Sequence, residues 1–345
     1  MPSIWHVVNL RASPFDHWTL GAGGTQPLPE GLLVGRDADL DHLLRTIAKG
    51  HPTVQAVVGE RGVGKTTLIT EAKARARDQQ FVAHDEAVFL HLLCTPLEVR
   101  ARVLEGVYHA VLSNRPDVAN DIVLRDARDV LLRRYVADPF TPALGDPLFG
   151  AEPPRRDRHE RWVELEVAQA LAALLEHLPS LGVRGVVLRA AFADEPLHAS
   201  ERFVGAVLSH LSAQVIASER LHVLFEMQPG TLALGIEAVP SLRAELRPHH
   251  LEALRASQVL ELLARRFAFM RHDPSRPRFR IRDELAVREL YSMSGGNLRD
   301  TLRDLQALIR PWIGIDARLD PEPRADAESG DSDSWGSHSV EECGS

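Results

Sequence analysis

Eight consecutive residues, Gly59-Glu60-Arg61-Gly62-Val63-Gly64-Lys65-Thr66, satisfy the pattern GxxxxGK[ST] without a mismatch. Each residue type in it has a chemical use. Glycines let a loop fold tightly around a phosphate, so that successive backbone N–H groups and the start of the following helix point at its oxygens. Lys65 is long enough to bring a cation to β- and γ-phosphates, and the Thr66 hydroxyl is a ligand for Mg2+. Thr67 follows in the first helical turn and belongs with the loop as a phosphate-contacting position. The match predicts binding of ATP and ADP with Mg2+.

The flanking segments are those such a loop requires. Val54–Val58 is an apolar, β-branched run that reads as a strand, and TTLITEAKARA directly after the lysine reads as a helix. Further candidate strands are Ala87–Leu93, Val183–Ala191 and Leu221–Glu226. They alternate with helical patterns over Asp37–Lys49, Lys65–Arg77, Leu97–Leu112, Asp117–Val136, Arg158–Leu178 and Glu201–Ala217. Strands joined by crossover helices predict an α/β fold with a parallel sheet. After Pro248 only helices are expected, over His250–Phe267, Asp283–Met293 and Asn297–Ile309. The predicted organisation is an N-terminal extension (1–27), a P-loop α/β domain (28–245) with an irregular loop at 138–157, a helical lid subdomain (246–312) and a disordered acidic tail (313–345).

Two further segments stand in order around the loop: LPEGLLVGRDADLDHLL upstream and SGGNLRDTLRDL downstream. With the loop, they make the chain resemble the AAA+ P-loop ATPases, and within them the branch similar to origin-recognition ATPases and related bacterial P-loop regulators. The resemblance spans about Leu28 to Ile309. It implies that Val34, Gly35 and Arg36 lie near the adenine. It also implies that Arg299, on a lid helix, reaches the γ-phosphate, and that an arginine such as Arg243 or Arg247 completes a neighbouring subunit's site.

A hydrolytic P-loop site also needs an acid at the end of a neighbouring strand to hold the Mg2+ shell, and a carboxylate to polarise water. In GVRGVVLRAAFADEPLH two registers are open. If the strand ends soon after Leu188, the expected positions are Ala190, Ala191 and Phe192, none of them an acid. If it runs to Ala193, Asp194 would serve the metal and Glu195 the water, unless both simply open the next helix. After LHVLFE the resemblance implies a small polar residue near the γ-phosphate. Here Glu226, Met227 and Gln228 stand instead, and Glu226 would repel phosphate unless it held a metal or water.

Composition sets the remaining bounds. Two cysteines, Cys94 and Cys343, give neither a disulfide framework nor a zinc pattern, which favours a cytoplasmic protein. No stretch approaches the length of a membrane span. The net charge is −8, but the tail from Asp316 holds nine acids against Arg318 and Arg324, leaving the rest near −1. A globally basic nucleic-acid surface is therefore absent. The expected function is an Mg2+-dependent ATP-binding switch with slow hydrolysis, acting on a protein partner or a second copy. The alternatives are an ATP-binding scaffold with little turnover, and a DNA-associated initiator or remodelling ATPase.

Overall fold

The chain, seen as a computed structural model, is described over residues 4–15, 27–137, 156–193, 201–276, 281 and 283–315. The expected irregular loop falls outside these residues as far as position 155. Asp194, Glu195 and the expected acidic tail beyond Ile315 fall outside them too.

β1 (Thr53–Val58) is buried at every position, as a strand must be when sheet flanks both its edges and helices cover both its faces. Around it stand β2 (Phe81–Leu90), β3 (Gly185–Phe192), β4 (Leu221–Met227) and the two-residue β5 (His249–His250). The sheet is parallel throughout, in the order β2-β3-β4-β1-β5. The loops after β1, β3 and β4 therefore leave from the same edge, the place where open parallel sheets bind ligands.

Side chains of β1 alternate between two cores. Val54, Ala56 and Val58 pack with α3 (Pro96–Asn114), α4 (Ile122–Ala137), α5 (Arg156–His177) and α6 (Glu201–Ile216). Val57 packs with Leu43 of α1 (Asp37–Ala48) and Leu68 of α2 (Lys65–Arg77). Local chemistry fixes several boundaries. Thr95 and Glu98 form a reciprocal capping box at α3, with Pro96 in the first turn. The stretch expected as one helix over Asp117–Val136 is instead a short 3-10 turn at Pro116–Val118 followed by α4. The Asp121 carboxylate accepts the N–H groups of Val123 and Leu124 and so starts a new helix.

Other differences from expectation have similar causes. β2 begins at Phe81, earlier than Ala87. Phe81, Val82 and Ala83 are buried, and a register shift between Ala83 and Ala87 absorbs the polar run His84-Asp85-Glu86. α7 (Pro229–Ala238) and α8 (Leu242–Glu245) follow β4 and had no periodic signal. β5 forms where only helix was expected, because Leu251 N donates to Val58 O at 2.7 Å and holds residues 249–251 extended beside β1. α9 (Ala256–Met270) consequently starts later than His250.

α9, α10 (Glu284–Met293) and α11 (Leu298–Ile315) make a separate apolar core from Val259, Leu263, Tyr291, Leu302 and Leu305. The N-terminal segment completes it. Trp5, Leu10 and Phe15 are buried there, Phe15 meeting Phe267 edge to face at 5.6 Å. Arg266 donates to Pro14 O, and Arg11 N to Met270 O. Among the described residues no helix is long and apolar enough to cross a membrane.

Candidate functional site

The loop between β1 and α2 has the geometry its sequence predicts. Gly59 N donates to Met227 O at 3.2 Å, fastening the loop to the end of β4. Gly62 (φ 81°) and Gly64 (φ 101°) take left-handed conformations that a side chain disfavours. Gly64 leads directly into α2, whose first N–H groups have no partner within the helix. Lys65 Nζ donates to the carbonyls of Gly59 (2.7 Å) and Glu60 (2.9 Å), so the ammonium is folded over its own loop. Glu60 and Arg61 are exposed at the crown, and Val63 is buried beneath it.

Thr66 points to a carboxylate on β4. Its Oγ1 donates to Glu226 Oε2 at 2.9 Å. Arg189, buried on β3, brings Nε to 3.2 Å from the same oxygen and a terminal nitrogen to 3.4 Å from Oε1. Behind them Lys73 of α2 is buried and donates to Asp85 O. Its ammonium is pushed down to about 7, first by burial and then by Arg189, against the pull of Asp85. β3 itself ends at Phe192 and carries Ala190 and Ala191 at its last turn of register, so among the described residues it supplies no acid. Asp194 and Glu195 lie outside those residues, one position past Ala193, whose N–H bonds Leu90 O.

Upstream, Arg36 joins three parts of the fold. One guanidinium nitrogen donates to Val63 O (2.9 Å) and to Glu252 O (2.7 Å), and the other meets Asp39 at 3.4 Å. Burial lowers the Arg36 pKa, opposed chiefly by Asp39. Val34 is buried beside it, and Gly35 (φ 65°) lies against the Gln258 side chain of α9. Thus the Val-Gly-Arg segment contacts both the P-loop and the start of the helical subdomain.

From the other side, Asn297 lies against Gly62, close enough that a Cβ at position 62 would collide with its Oδ1. Asn297 also caps α11, accepting the Asp300 N–H at 3.2 Å. Arg299, two residues further, is exposed. Gln228 precedes α7, while Arg243 and Arg247 are exposed between the sheet and the helical subdomain. From the sequence, Glu226 stands as a departure that would repel phosphate unless it held a metal or water, with no link to Thr66. The signal available was an acid closing an otherwise apolar strand, LHVLFEM.

Residues 29–116 match the family model described as BREX system ATP-binding protein BrxC/D. That segment holds the Val-Gly-Arg stretch, the P-loop and α2. No curated protein matches the sequence significantly. Among solved structures, the chain is similar to the ORC2 protein of Aeropyrum pernix in its ADP form, with 15% identity and a TM-score of 0.48 over 88% of this chain and 67% of that one. It is also similar to Cdc6p from Pyrobaculum aerophilum (13%, TM-score 0.47, 88% and 66%). The Aeropyrum pernix ORC1 protein in complex with DNA gives 15%, a TM-score of 0.42, and 86% and 63%. The chain thus spans about two thirds of the length of those proteins.

The donor set suits a polyphosphate with a hard divalent cation. Backbone N–H groups and Lys65 offer positive charge to phosphate, and a hydroxyl and a carboxylate 2.9 Å apart offer oxygen to Mg2+. Mg2+ usually keeps several waters and takes phosphate oxygens, so one or two protein groups suffice. No group of three or more His, Cys, Asp or Glu placed to hold a metal occurs among the described residues.

Proposed function

We propose that the protein is an Mg2+-dependent ATP-binding switch of AAA+ type, in which nucleotide at the P-loop sets the position of the helical subdomain. The observation that carries this reading is that the P-loop touches that subdomain's connections on both sides. Arg36 bonds Val63 of the loop and Glu252 of the linker, and Asn297 at the head of α11 lies against Gly62. A phosphate entering the loop must change the surroundings of both contacts. The matched family is described as ATP-binding and one similar structure holds ADP, which agrees with the chemistry of the loop.

In this reading Gly59–Thr67 cradle the phosphates, with Lys65 moving from its loop carbonyls onto them. Mg2+, when bound, would offset the negative charge of the phosphates. Thr66 and the sequence-based candidate Asp194 are its proposed protein partners, and Glu195 is the proposed residue orienting water. Val34, Gly35 and Arg36 flank the base, and Arg299 reads the γ-phosphate from α11. Hydrolysis is slow in the isolated chain, because the end of β3 is apolar and an arginine from a neighbouring copy or a protein partner completes the charge around the transferring phosphate. The short apolar end of β3 favours, as the second reading, a binding scaffold with little turnover.

The test is equilibrium binding of ATP and ADP to wild type and Lys65→Ala. Lys65 is half-buried and bonds the carbonyls of its own loop, so the variant should keep the fold and lose at least about tenfold in affinity, as expected when a charged phosphate contact goes. Unchanged affinity in a folded Lys65→Ala protein rules the P-loop assignment out.

A further inference from the structure

The geometry points to a transposed acid: Glu226 on β4, positioned by Arg189 on β3, supports the Mg2+ site at Thr66 in place of an acid at the end of β3. This inference rests on the nucleotide-binding part of the reading above and moves the metal-supporting role from the sequence-based candidate Asp194 to Glu226.

The strand register places the exchange. Ala191 of β3 lies directly opposite Glu226 of β4, and Glu226 lies opposite Val57 of β1, two residues before the loop begins at Gly59. Leu224, two residues before Glu226, packs with Leu68 and Ile69 of α2, so the Glu226 side chain leaves the sheet on the same face, toward the P-loop helix. Where β3 presents only a methyl group, β4 presents a carboxylate long enough to reach Thr66.

The hydrogen bond has a direction, and the direction matters. Thr66 Oγ1 has one proton, and it is committed to Glu226 Oε2. Only its lone pairs then remain for a cation arriving with the phosphates. A carboxylate offers about four lone-pair sites; Thr66 and a terminal nitrogen of Arg189 each take one by hydrogen bond, so the group keeps capacity to hold a water of the metal's shell. Arg189 approaches both carboxylate oxygens, which fixes the plane of the group. A simple ion pair would account for Arg189 and Glu226 but not for the Thr66 contact. The pair sits at the base of the cradle, with Glu226 the more exposed partner (18% against 10%).

The test is calorimetric titration of ADP and ATP, each in Mg2+ and in EDTA, on wild type and variants. Wild type should bind more tightly in Mg2+. Glu226→Gln should lose about tenfold or more of that gain, the usual effect of removing an outer-shell partner, while its affinity in EDTA stays within about twofold of wild type. Arg189→Met should lose part of the gain. Should Glu226→Gln fold poorly because Arg189 loses this carboxylate, the double variant Glu226→Gln/Arg189→Met removes both charges and should still lack the gain. An equal Mg2+ gain in wild type and either Glu226 variant overturns the assignment. So does loss of the gain in Asp194→Asn with retention in Glu226→Gln, which returns the role to the segment after β3. If wild type binds no nucleotide in either buffer, the nucleotide reading itself fails and takes this assignment with it.

Discussion

Asn297 at the head of α11 lies directly against Gly62 at the crown of the P-loop, although 235 positions separate them in the sequence. Gly62 is also left-handed, so two independent constraints exclude a side chain there. Gly62→Ala should therefore displace Asn297 or distort the loop, at a cost of about 1–2 kcal/mol for the backbone conformation alone. Thermal unfolding should report the loss, nucleotide affinity should fall with it, and Gly62→Ala/Asn297→Gly should recover part of both. Unaltered affinity and stability in Gly62→Ala would show that the two residues are not held together.

Arg299 gives a prediction that separates sensing from packing. It is exposed, and the apolar residues of α11 that enter the core are Leu302 and Leu305, with Leu298 and Ile309 beside them. Arg299→Ala should leave unfolding unchanged and reduce the ATP-to-ADP affinity ratio by about five- to tenfold, a typical coupling of 1–1.4 kcal/mol. It should also weaken ATP-dependent hydrogen-exchange protection over residues 250–310. The same ratio and the same protection in wild type and variant would remove the γ-phosphate role from Arg299.

Turnover is the third expectation. Dilute protein should hydrolyse ATP far below the median enzyme rate of about 10 per second, and the rate should rise with protein concentration if a neighbour supplies an arginine. A concentration-independent rate of tens per second would mean that one subunit holds a complete site.

Stability should depend on pH through His222. This histidine is buried on β4, with Thr53 Oγ1 at 3.1 Å from Nδ1 and the Phe81 ring edge-on at 5.6 Å. Burial pulls its pKa from 6.5 down to about 4. The unfolded chain therefore binds a proton near pH 6.5 that the folded chain refuses until about pH 4. Stability is full above the upper value and falls as the pH drops through this window, by roughly 3 kcal/mol in all from this group. Urea unfolding at pH 7.5 and pH 5 should show the loss, and His222→Leu should reduce it. An identical pH dependence in the variant would assign the effect to other groups.

The parts of the fold legible in the sequence are those whose signals are local. α2 begins at Lys65 and ends at Arg77 as expected, because an apolar strand, three glycines and a helix are written consecutively around it. The helix expected over Asn297–Ile309 is there as α11, and its Leu302 and Leu305 share the apolar core with Leu263. What was not legible depends on distant pairings. Trp5, Leu10 and Phe15 join the core of the helical subdomain through contacts across about the whole chain, and no periodicity marks a segment that short. Glu226 is the same case within the site. That it meets Thr66, 160 residues away, follows from the β3–β4–β1 register, which pattern alone does not specify. α7, with Gly230 and Gly235 inside an evenly apolar stretch, offered neither a polar face nor a cap.

Phosphate binding by the backbone between Gly59 and Thr67 can be read from hydrogen–deuterium exchange of the wild-type chain with and without saturating MgADP and MgATP. Slowed exchange is expected in peptides covering residues 59–70 with either nucleotide, and additional slowing across residues 250–310 with MgATP. Nucleotide binding, established by calorimetry on the same sample, without any change in exchange at residues 59–70 would contradict it.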